Sequence, residues 1–188
     1  MTQYAMNVVA DLGLLKMDFL GLSNLTILSR ARDLVLELYG IEIDVRSLPL
    51  DDKATYDLLS EGSTVGVFQL EGSGMTRYIQ QLNPNSLEDI AAMIALYRPG
   101  PMEHIESFID AKHGRVVVKY PDDSLKGILE ETYGVVVNQD QVMLIAQAFA
   151  GYTLGEADVL RKAMGKKIPE IMSKEKEKFI SGSLEQGH

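Results

Sequence analysis

The sequence predicts a mainly α-helical protein with a few short β-strands, which places it in the α+β class. Most of its 188 residues fall into stretches in which apolar residues recur every three or four positions and a glycine follows. Only a few short apolar runs are typical of strands, and no long linker, low-complexity tract or internal repeat interrupts the pattern. With 46% hydrophobic residues, the chain can form one sizeable domain or two small ones.

The first element is predicted from residues 12–22, "LGLLKMDFLGL". This run is nearly continuous in apolar residues and is bounded by glycines, which favours a short buried strand. A helix should follow, because Ser23 can cap its start and Gly40 can end it. The apolar stripe of that helix consists of Leu25, Leu28, Ala31, Val35 and Leu38.

Three further helices are predicted from their capping residues. Asp51 or Asp52 precedes "KATYDLL", Ser73 precedes "GMTRYIQQL", and Ser86 is followed three residues later by Asp89, as in a capping box. These residue types accept hydrogen bonds from the backbone N–H groups that the first turn of a helix leaves unpaired. Each pattern therefore indicates where a helix begins.

The remaining elements are predicted from proline, glycine and short apolar runs. The helix after Ser86 should end at Arg98, because Pro99 disfavours helical geometry in the residue before it. Helices are also predicted for "MEHIESFIDAKHG", "DSLKGILEETYG" and "QDQVMLIAQAFAG", each of which closes on glycine. Short β segments are predicted for "TVGVFQL" (64–70), "VVVKY" (116–120) and "GVVV" (134–137).

The overall composition predicts a soluble, cytoplasmic protein that does not enter a membrane. No apolar run approaches the roughly 18 residues needed to cross a bilayer, and the sequence does not begin like a signal peptide. The absence of cysteine excludes disulfides and thiolate metal sites, and it suits a reducing compartment.

The net charge of −9 is unevenly distributed along the chain. Residues 1–110 hold 7 basic and 16 acidic side chains, whereas residues 111–188 hold 11 of each. The most concentrated positive charge is "LRKAMGKK" (160–167), which contains no acidic residue. Because phosphate binding is driven by Lys and Arg, this segment is the best candidate for contact with nucleic acid. The alternative is a solvated helix end.

Two other charged residues stand out by their positions. Asp18 lies within an apolar run, where a buried carboxylate is costly unless it is paired or bound to metal. It could instead pair with Lys16 or occupy an exposed strand end. Arg98 precedes "PGP", whose rigid backbone could hold a guanidinium for phosphate recognition. It could equally be a surface arginine at a helix C-terminus.

Six blocks of sequence together resemble the alpha subunits of bacterial DNA polymerase III, the C-family replicative polymerases. The resemblance covers nearly the whole chain, and the blocks occur in the order and spacing of that family, with Asn138 and Asp140 where Tyr and Glu are commonest. The blocks are "TQYAM" (2–6), "GLLKMDFLGL" (13–22), "GVFQLEGSGM" (66–75), "LYRPGP" (96–101), "YGVVVNQDQVM" (133–143) and "GYTLGEADVLRKAMGKK" (151–167).

This resemblance implies a domain organisation and a metal ligand. Residues 1–22 would form the last strand region of the palm, and residues 23–188 the N-terminal part of a truncated, helical fingers domain. Asp18 would be the third catalytic carboxylate and a ligand for two Mg²⁺ ions. The first two carboxylates come from an Asp-x-Asp motif, which this sequence lacks. The chain alone should therefore neither bind Mg²⁺ stably nor polymerise.

The resemblance also implies which residues contact substrates. Template-primer DNA and deoxynucleoside triphosphates would be the partners, and replisome subunits would bind parts of a larger protein from which this chain was cut. An error-prone paralogue fits the same residues. A second class of function, an acidic helical interaction module without nucleic-acid contact, also fits the charge distribution. The implied phosphate-contacting residues are Lys16, Arg98, Arg161, Lys162, Lys166 and Lys167.

Overall fold

The computed structural model describes residues 3–15, 17–166 and 169–188, apart from the side chains of Met6, Asn7, Ala10 and Lys166. The chain divides into two compact units, Met1–Leu48 and Pro49–His188. The described residues of both units are helical or irregular. The prediction of a mainly α-helical protein is therefore confirmed, whereas the prediction of short β-strands is wrong.

The first unit contains helices α1 (Met6–Asp11) and α2 (Ser23–Tyr39). Helix α2 ends at Gly40 as predicted, since Gly40 adopts a left-handed φ of 66° and donates its N–H to Leu36 O at 2.9 Å. Its start differs from the prediction, because the capping position is Leu22 and no side chain caps the helix. None of its residues is buried, and the predicted apolar stripe is exposed except for Val35, which is half-buried.

The second unit begins with four helices around one apolar core. These are α3 (Lys53–Ser60), α4 (Ser73–Leu82), α5 (Leu87–Leu96) and α6 (Ile105–Lys112). Their inward faces are apolar at helical spacing, which is why the four helices share a core. The fully buried side chains of that core include Ile79, Leu82, Met93, Leu96, Ile105 and Phe108.

The predicted caps of these helices are partly realised. Asp52 caps α3 by accepting the Thr55 N–H at 2.9 Å. The Ser86 hydroxyl accepts the Asp89 N–H at 3.2 Å, but the Asp89 carboxylate accepts from Asn85 N and does not close the box. Helix α5 ends two residues before the predicted position.

The polypeptide between α5 and α6 makes a tight turn. Gly100 has a φ of 103°, a conformation that favours glycine, and Pro101 begins a short 3₁₀-helix, Pro101–His104. The cap of α5 is Tyr97, whose hydroxyl lies so close to Gly74 that a Cβ at position 74 would overlap it. The turn therefore presents Arg98 at one end of the α5–α6 hairpin.

The helices at the C-terminal end of this unit form its second core. Three alanines, one tyrosine and one leucine fill it, namely Ala146, Ala150, Ala157, Tyr152 and Leu160. Two 3₁₀-helices, Asp123–Leu125 and Glu130–Thr132, flank α7. The bounds of the α-helices are Lys126–Leu129 for α7, Gln139–Ala150 for α8, Leu154–Lys166 for α9 and Pro169–Glu185 for α10.

The predicted strands fail because their backbone groups bond locally. The described part of 12–22 leaves α1 in a turn, with Leu12 N donating to Val8 O at 3.1 Å, and then runs without regular structure. Segment 64–70 is a series of turns. An apolar run forms a strand only when a second strand accepts its hydrogen bonds. Such a partner is absent among the described residues.

Segments 116–120 and 134–137 run close together without forming a ladder. A Cβ at Gly134 would overlap the carbonyl oxygen of Lys119, so the two backbones touch. The hydrogen bonds of 134–137 go elsewhere, however. Gly134 N donates to Leu129 O, and Val137 N donates to the side chain of Gln141 at 2.8 Å. The side chain that caps α8 thus takes the place of a neighbouring strand.

Candidate functional site

Asp18 lies in an exposed segment of the first unit. The segment 17–22 has no regular structure, and its side chains are exposed, up to 96% for Leu20. The premise of a carboxylate in a buried strand is therefore wrong, because Asp18 is exposed and its segment is not a strand. Lys16, predicted to lie near nucleotide phosphates, falls outside the described residues.

The described residues do not assemble a magnesium site. No group of three or more His, Cys, Asp or Glu side chains among them is placed to share a metal ion. Magnesium is held by several oxygen ligands in octahedral geometry, and Asp18 supplies at most a small part of such a set. Among the described residues, Asp18 by itself supplies too few oxygen ligands to hold the two predicted Mg²⁺ ions.

Arg98 is exposed at the turn after α5, and its inner nitrogen is held by the backbone. Its Nε donates to Ala95 O at 2.9 Å. The terminal nitrogens Nη1 and Nη2 have no hydrogen-bond partner among the described residues. The side chain borders a cleft of about 530 Å³, also lined by Gln69 and Tyr97. Gln69 has a left-handed φ of 66°, which a non-glycine residue seldom adopts.

Arg161 on α9 is held from two directions. Its Nε and Nη2 donate to Asp158 Oδ1 at 3.0 and 2.7 Å, one turn earlier on the same helix. Its Nη1 donates to Gln139 Oε1 at 3.0 Å, from the first residue of α8. Arg161 therefore bridges two helices and is half-buried, unlike a flexible surface arginine.

Lys162 shares the same carboxylate. Its Nζ lies 2.7 Å from Asp158 Oδ2, so each oxygen of Asp158 faces a different cation. Hydrogen bonds from Lys162 and then from Arg161 lower the pKa of Asp158, which keeps that carboxylate ionised at neutral pH. The positive charge predicted for residues 161 and 162 is thus partly compensated.

The structure does not bring Arg98 together with Arg161 and Lys162. The side chain of Lys166 and the whole of Lys167 lie outside the described residues. Arg98 follows α5, which packs in the core of α3 to α6, whereas Arg161 lies on α9, which packs in the core of α8 to α10. No ion pair or hydrogen bond in the described ranges joins the two arginines.

Sequence reasoning missed both residues that hold Arg161. Asp158 lies outside the acid-free segment 160–167, but its spacing of three and four residues from Arg161 and Lys162 is the spacing of neighbours on a helix. That spacing could have revealed it. Gln139 lies 22 residues away in sequence, and only the packing of α8 on α9 brings it to Arg161.

In the described ranges, no helix has both the length and the apolar character needed to cross a membrane.

Comparison with known sequences identifies the class of protein. The family model of the bacterial DNA polymerase III alpha subunit finger domain matches residues 24–187. The chain belongs to this finger-domain family. The assignment of residues 1–22 to the palm lies outside that match and stays a prediction, although the described part of 12–22 does not form the predicted strand.

Individual relatives agree along almost the whole chain. The DNA polymerase III subunit alpha of Thermus aquaticus is 54% identical over 191 residues, and that of Bacillus subtilis (strain 168) is 52% identical over 186. Each alignment covers 99% of this chain but only 16% and 17% of the respective relative. The chain therefore corresponds to about one sixth of the length of these polymerase subunits.

Proposed function

We propose that this chain acts as the finger segment of a DNA-directed DNA polymerase, in which Arg98 and Arg161 contact phosphate groups of the substrates. The substrates would be deoxynucleoside triphosphates and template-primer DNA. Beside family membership, the proposal rests on how the two guanidinium groups are hydrogen-bonded. Each is fixed through its Nε, and each can still offer its terminal nitrogens to a ligand.

The chemistry of nucleotidyl transfer suits such fixed cations. Phosphoryl transfer needs little covalent chemistry from the protein, so catalysis rests on positioning and on stabilising the charge of the phosphate oxygens. A planar guanidinium that is already oriented loses little entropy on binding and can donate two parallel hydrogen bonds. Lys162 and the lysines at 166 and 167 would add charge without fixing geometry.

Asp18 has a separate role in this proposal. It would supply one carboxylate to a metal site that needs further carboxylates from outside this chain, where Mg²⁺ would neutralise charge on the triphosphate. Accordingly, the chain by itself should bind Mg²⁺ weakly and extend no primer. Replisome subunits would contact other parts of a complete polymerase, and none of the described surfaces is assigned to them.

A chimeric polymerase tests this proposal. The matched segment of the Thermus aquaticus subunit is replaced by this chain, and primer extension is measured with purified protein. We expect the chimera to extend the primer. Arg98→Ala and Arg161→Ala should each raise the KM for nucleotide or the Kd for template-primer, because each removes a bidentate donor.

The matched control is Arg115→Ala. Arg115 is exposed and pairs with Asp110 at 2.9 Å. Its substitution removes the same charge as the other two, but at a residue that is not proposed to contact a substrate. An inactive chimera, or equal effects of the three substitutions, would contradict the proposal. In the active chimera, Asp18→Asn should lower the rate by several orders of magnitude while template-primer binding is retained, since the amide keeps the shape and loses the charge.

A further inference from the structure

The surroundings of Arg161 leave a specific part of its guanidinium group available. An arginine has five N–H donors: one on Nε and two on each terminal nitrogen. Among the contacts that the described residues make, Asp158 takes one from Nε and one from Nη2, and Gln139 takes one from Nη1. Two N–H groups remain, one on each terminal nitrogen. A bidentate contact to a phosphate through the terminal nitrogens uses one N–H on each of them.

The acidic partner is unfavourable for anion binding on electrostatic grounds. Asp158 places a negative charge 2.7 Å from the guanidinium, and that charge repels any phosphate that approaches Arg161. If charge alone mattered, its removal would strengthen phosphate binding. A benefit from Asp158 must therefore come through the orientation of the arginine, since a misplaced group can cost far more than one weakened charge.

We propose that Asp158 and Gln139 are positioning residues, which hold Arg161 so that its two terminal nitrogens face a phosphate group of a bound substrate. The inference rests on the function proposed above. A positioning role and a purely electrostatic role predict opposite effects of truncating Asp158. In the positioning role, truncation weakens phosphate binding, although it removes a negative charge. The phosphate belongs either to a deoxynucleoside triphosphate or to the backbone of template-primer DNA.

The geometry can be tested on the chain without substrate. Exchange of the arginine Nε–H with water is measured by ¹⁵N NMR in the 188-residue protein. The Nε–H of Arg161 should exchange slowly because Asp158 accepts it, whereas that of Arg115, which pairs through Nη1, should exchange quickly. Asp158→Ala should abolish the difference. Equal exchange of the two groups in the unsubstituted chain overturns the proposed geometry.

The functional role is tested in the chimera by steady-state kinetics. We expect Asp158→Ala to raise the KM for nucleotide about tenfold or more, as displacement of a substrate-positioning group does. Asp158→Asn should stay within about threefold of the unsubstituted chimera, because its amide oxygen still accepts from Nε and Nη2. Gln139→Ala should raise the KM less, since it removes one hydrogen bond. Thermal unfolding monitors that each variant is folded.

Two comparisons separate positioning from charge and from a general structural effect. In an Arg161→Ala background, Asp158→Ala should have no further effect on the KM, because Asp158 acts through Arg161. Asp140 is next to Gln139 in sequence and has no hydrogen bond to Arg161 in the described structure. Asp140→Ala removes the same negative charge as Asp158→Ala, and it should leave the KM unchanged or lower it. Parallel measurement of the Kd for template-primer shows which phosphate is contacted.

The outcomes are distinct. If Asp158→Ala lowers the KM and the Kd or leaves them unchanged, the positioning role is overturned. The same holds if Asp158→Ala raises the KM as much in the Arg161→Ala background as it does when Arg161 is present. If the unsubstituted chimera is inactive, or if Arg161→Ala is fully active, the proposed function is contradicted. Arg161 then has no phosphate to face, and the positioning proposal fails with it. In that case slow exchange at Arg161 would identify the contact as structural only.

Discussion

Lys112 Nζ lies 2.6 Å from Asp89 Oδ2, and both side chains are more than nine-tenths buried. Lys112 also donates to Asn85 Oδ1 at 2.9 Å, and the same oxygen of Asp89 accepts Asn85 N at 3.0 Å. These contacts join the last turn of α6 to the first turn of α5. They close the α5–α6 hairpin at the end opposite to the turn that carries Arg98.

Removal of one member of this pair should strongly destabilise the protein. We expect Lys112→Met to lower the free energy of unfolding by about 3 kcal/mol or more, because it leaves the Asp89 carboxylate buried without its cation. Urea unfolding followed by circular dichroism measures the change. The matched control is Lys53→Met, whose exposed pair with Asp57 should contribute less than about 1 kcal/mol.

A double substitution separates the ion pair from simple loss of packing. Asp89→Leu with Lys112→Met removes both charges, and it should recover much of the stability that Lys112→Met loses. If the double variant is as unstable as the sum of the two single variants, the two residues do not act as a pair.

Gly182 on α10 is predicted to be required for the packing of α10 on α8. A Cβ at this position would overlap the carbonyl oxygen of Ala150, and a backbone atom cannot move aside as a side chain can. We expect Gly182→Ala to cost about 1–3 kcal/mol in the free energy of unfolding. Gly155→Ala on α9 meets no atom within 4 Å and should be neutral or stabilising. Equal urea midpoints for the two variants would refute this difference.

Glu156 makes the stability of the α9–α10 contact depend on pH. A hydrogen bond from Lys178, followed by bonds from the backbone and hydroxyl of Thr153, lowers its pKa to about 2 from an ordinary value of 4.5. A lowered pKa in the folded state stabilises the protein above pH 4.5, and this contribution is lost as the pH falls from 4.5 towards 2.

The prediction for Glu156 is tested by the melting temperature as a function of pH. Glu156→Gln should lower the melting temperature at pH 7, and the difference from the unsubstituted chain should shrink below pH 4.5. The control Glu177→Gln removes an exposed carboxylate of α10 and should give a curve parallel to that of the unsubstituted chain. A constant difference between Glu156→Gln and the unsubstituted chain down to pH 2 would exclude this role.

Gln141 is expected to matter more for stability than its neighbours on α8. Its buried side chain accepts the N–H groups of Val137 and Asn138 and donates to the Thr132 hydroxyl at 2.8 Å. Gln141→Ala leaves the two backbone N–H groups without their acceptor and should cost about 1–3 kcal/mol. Gln147→Ala, on the same helix, should change the urea midpoint little. A similar midpoint for the two variants would disprove the role of Gln141.

Local signals predicted the helices well because their physical causes are local. Gly40 and Gly151 end helices in left-handed conformations, and Asp52 caps one, all within a few residues of the affected backbone groups. The β segments were mispredicted because an apolar run does not contain information about its hydrogen-bond partners. For 134–137 the decisive partner is the side chain of Gln141, at the start of the next helix.

The sequence named the candidate arginines but did not reveal how they are held in the structure. Arg98 and Arg161 are prominent in the sequence because of the residues beside them. Their orientation depends on acceptors that a charge count ignores, the carbonyl oxygen of Ala95 and the amide of Gln139. The compensation by Asp158 was missed because the count stopped at the edge of the basic segment. Tertiary contacts decide which donors of a guanidinium remain available.

The carboxylate shared by Arg161 and Lys162 also affects how DNA binding would respond to salt. The slope of log K against log salt concentration reflects how many DNA phosphates a protein neutralises. On duplex DNA, each neutralised phosphate releases about 0.9 bound cation. With Asp158 ionised between them, the two cations carry one net positive charge. In the proposed contact with DNA they would together displace about one counterion instead of two.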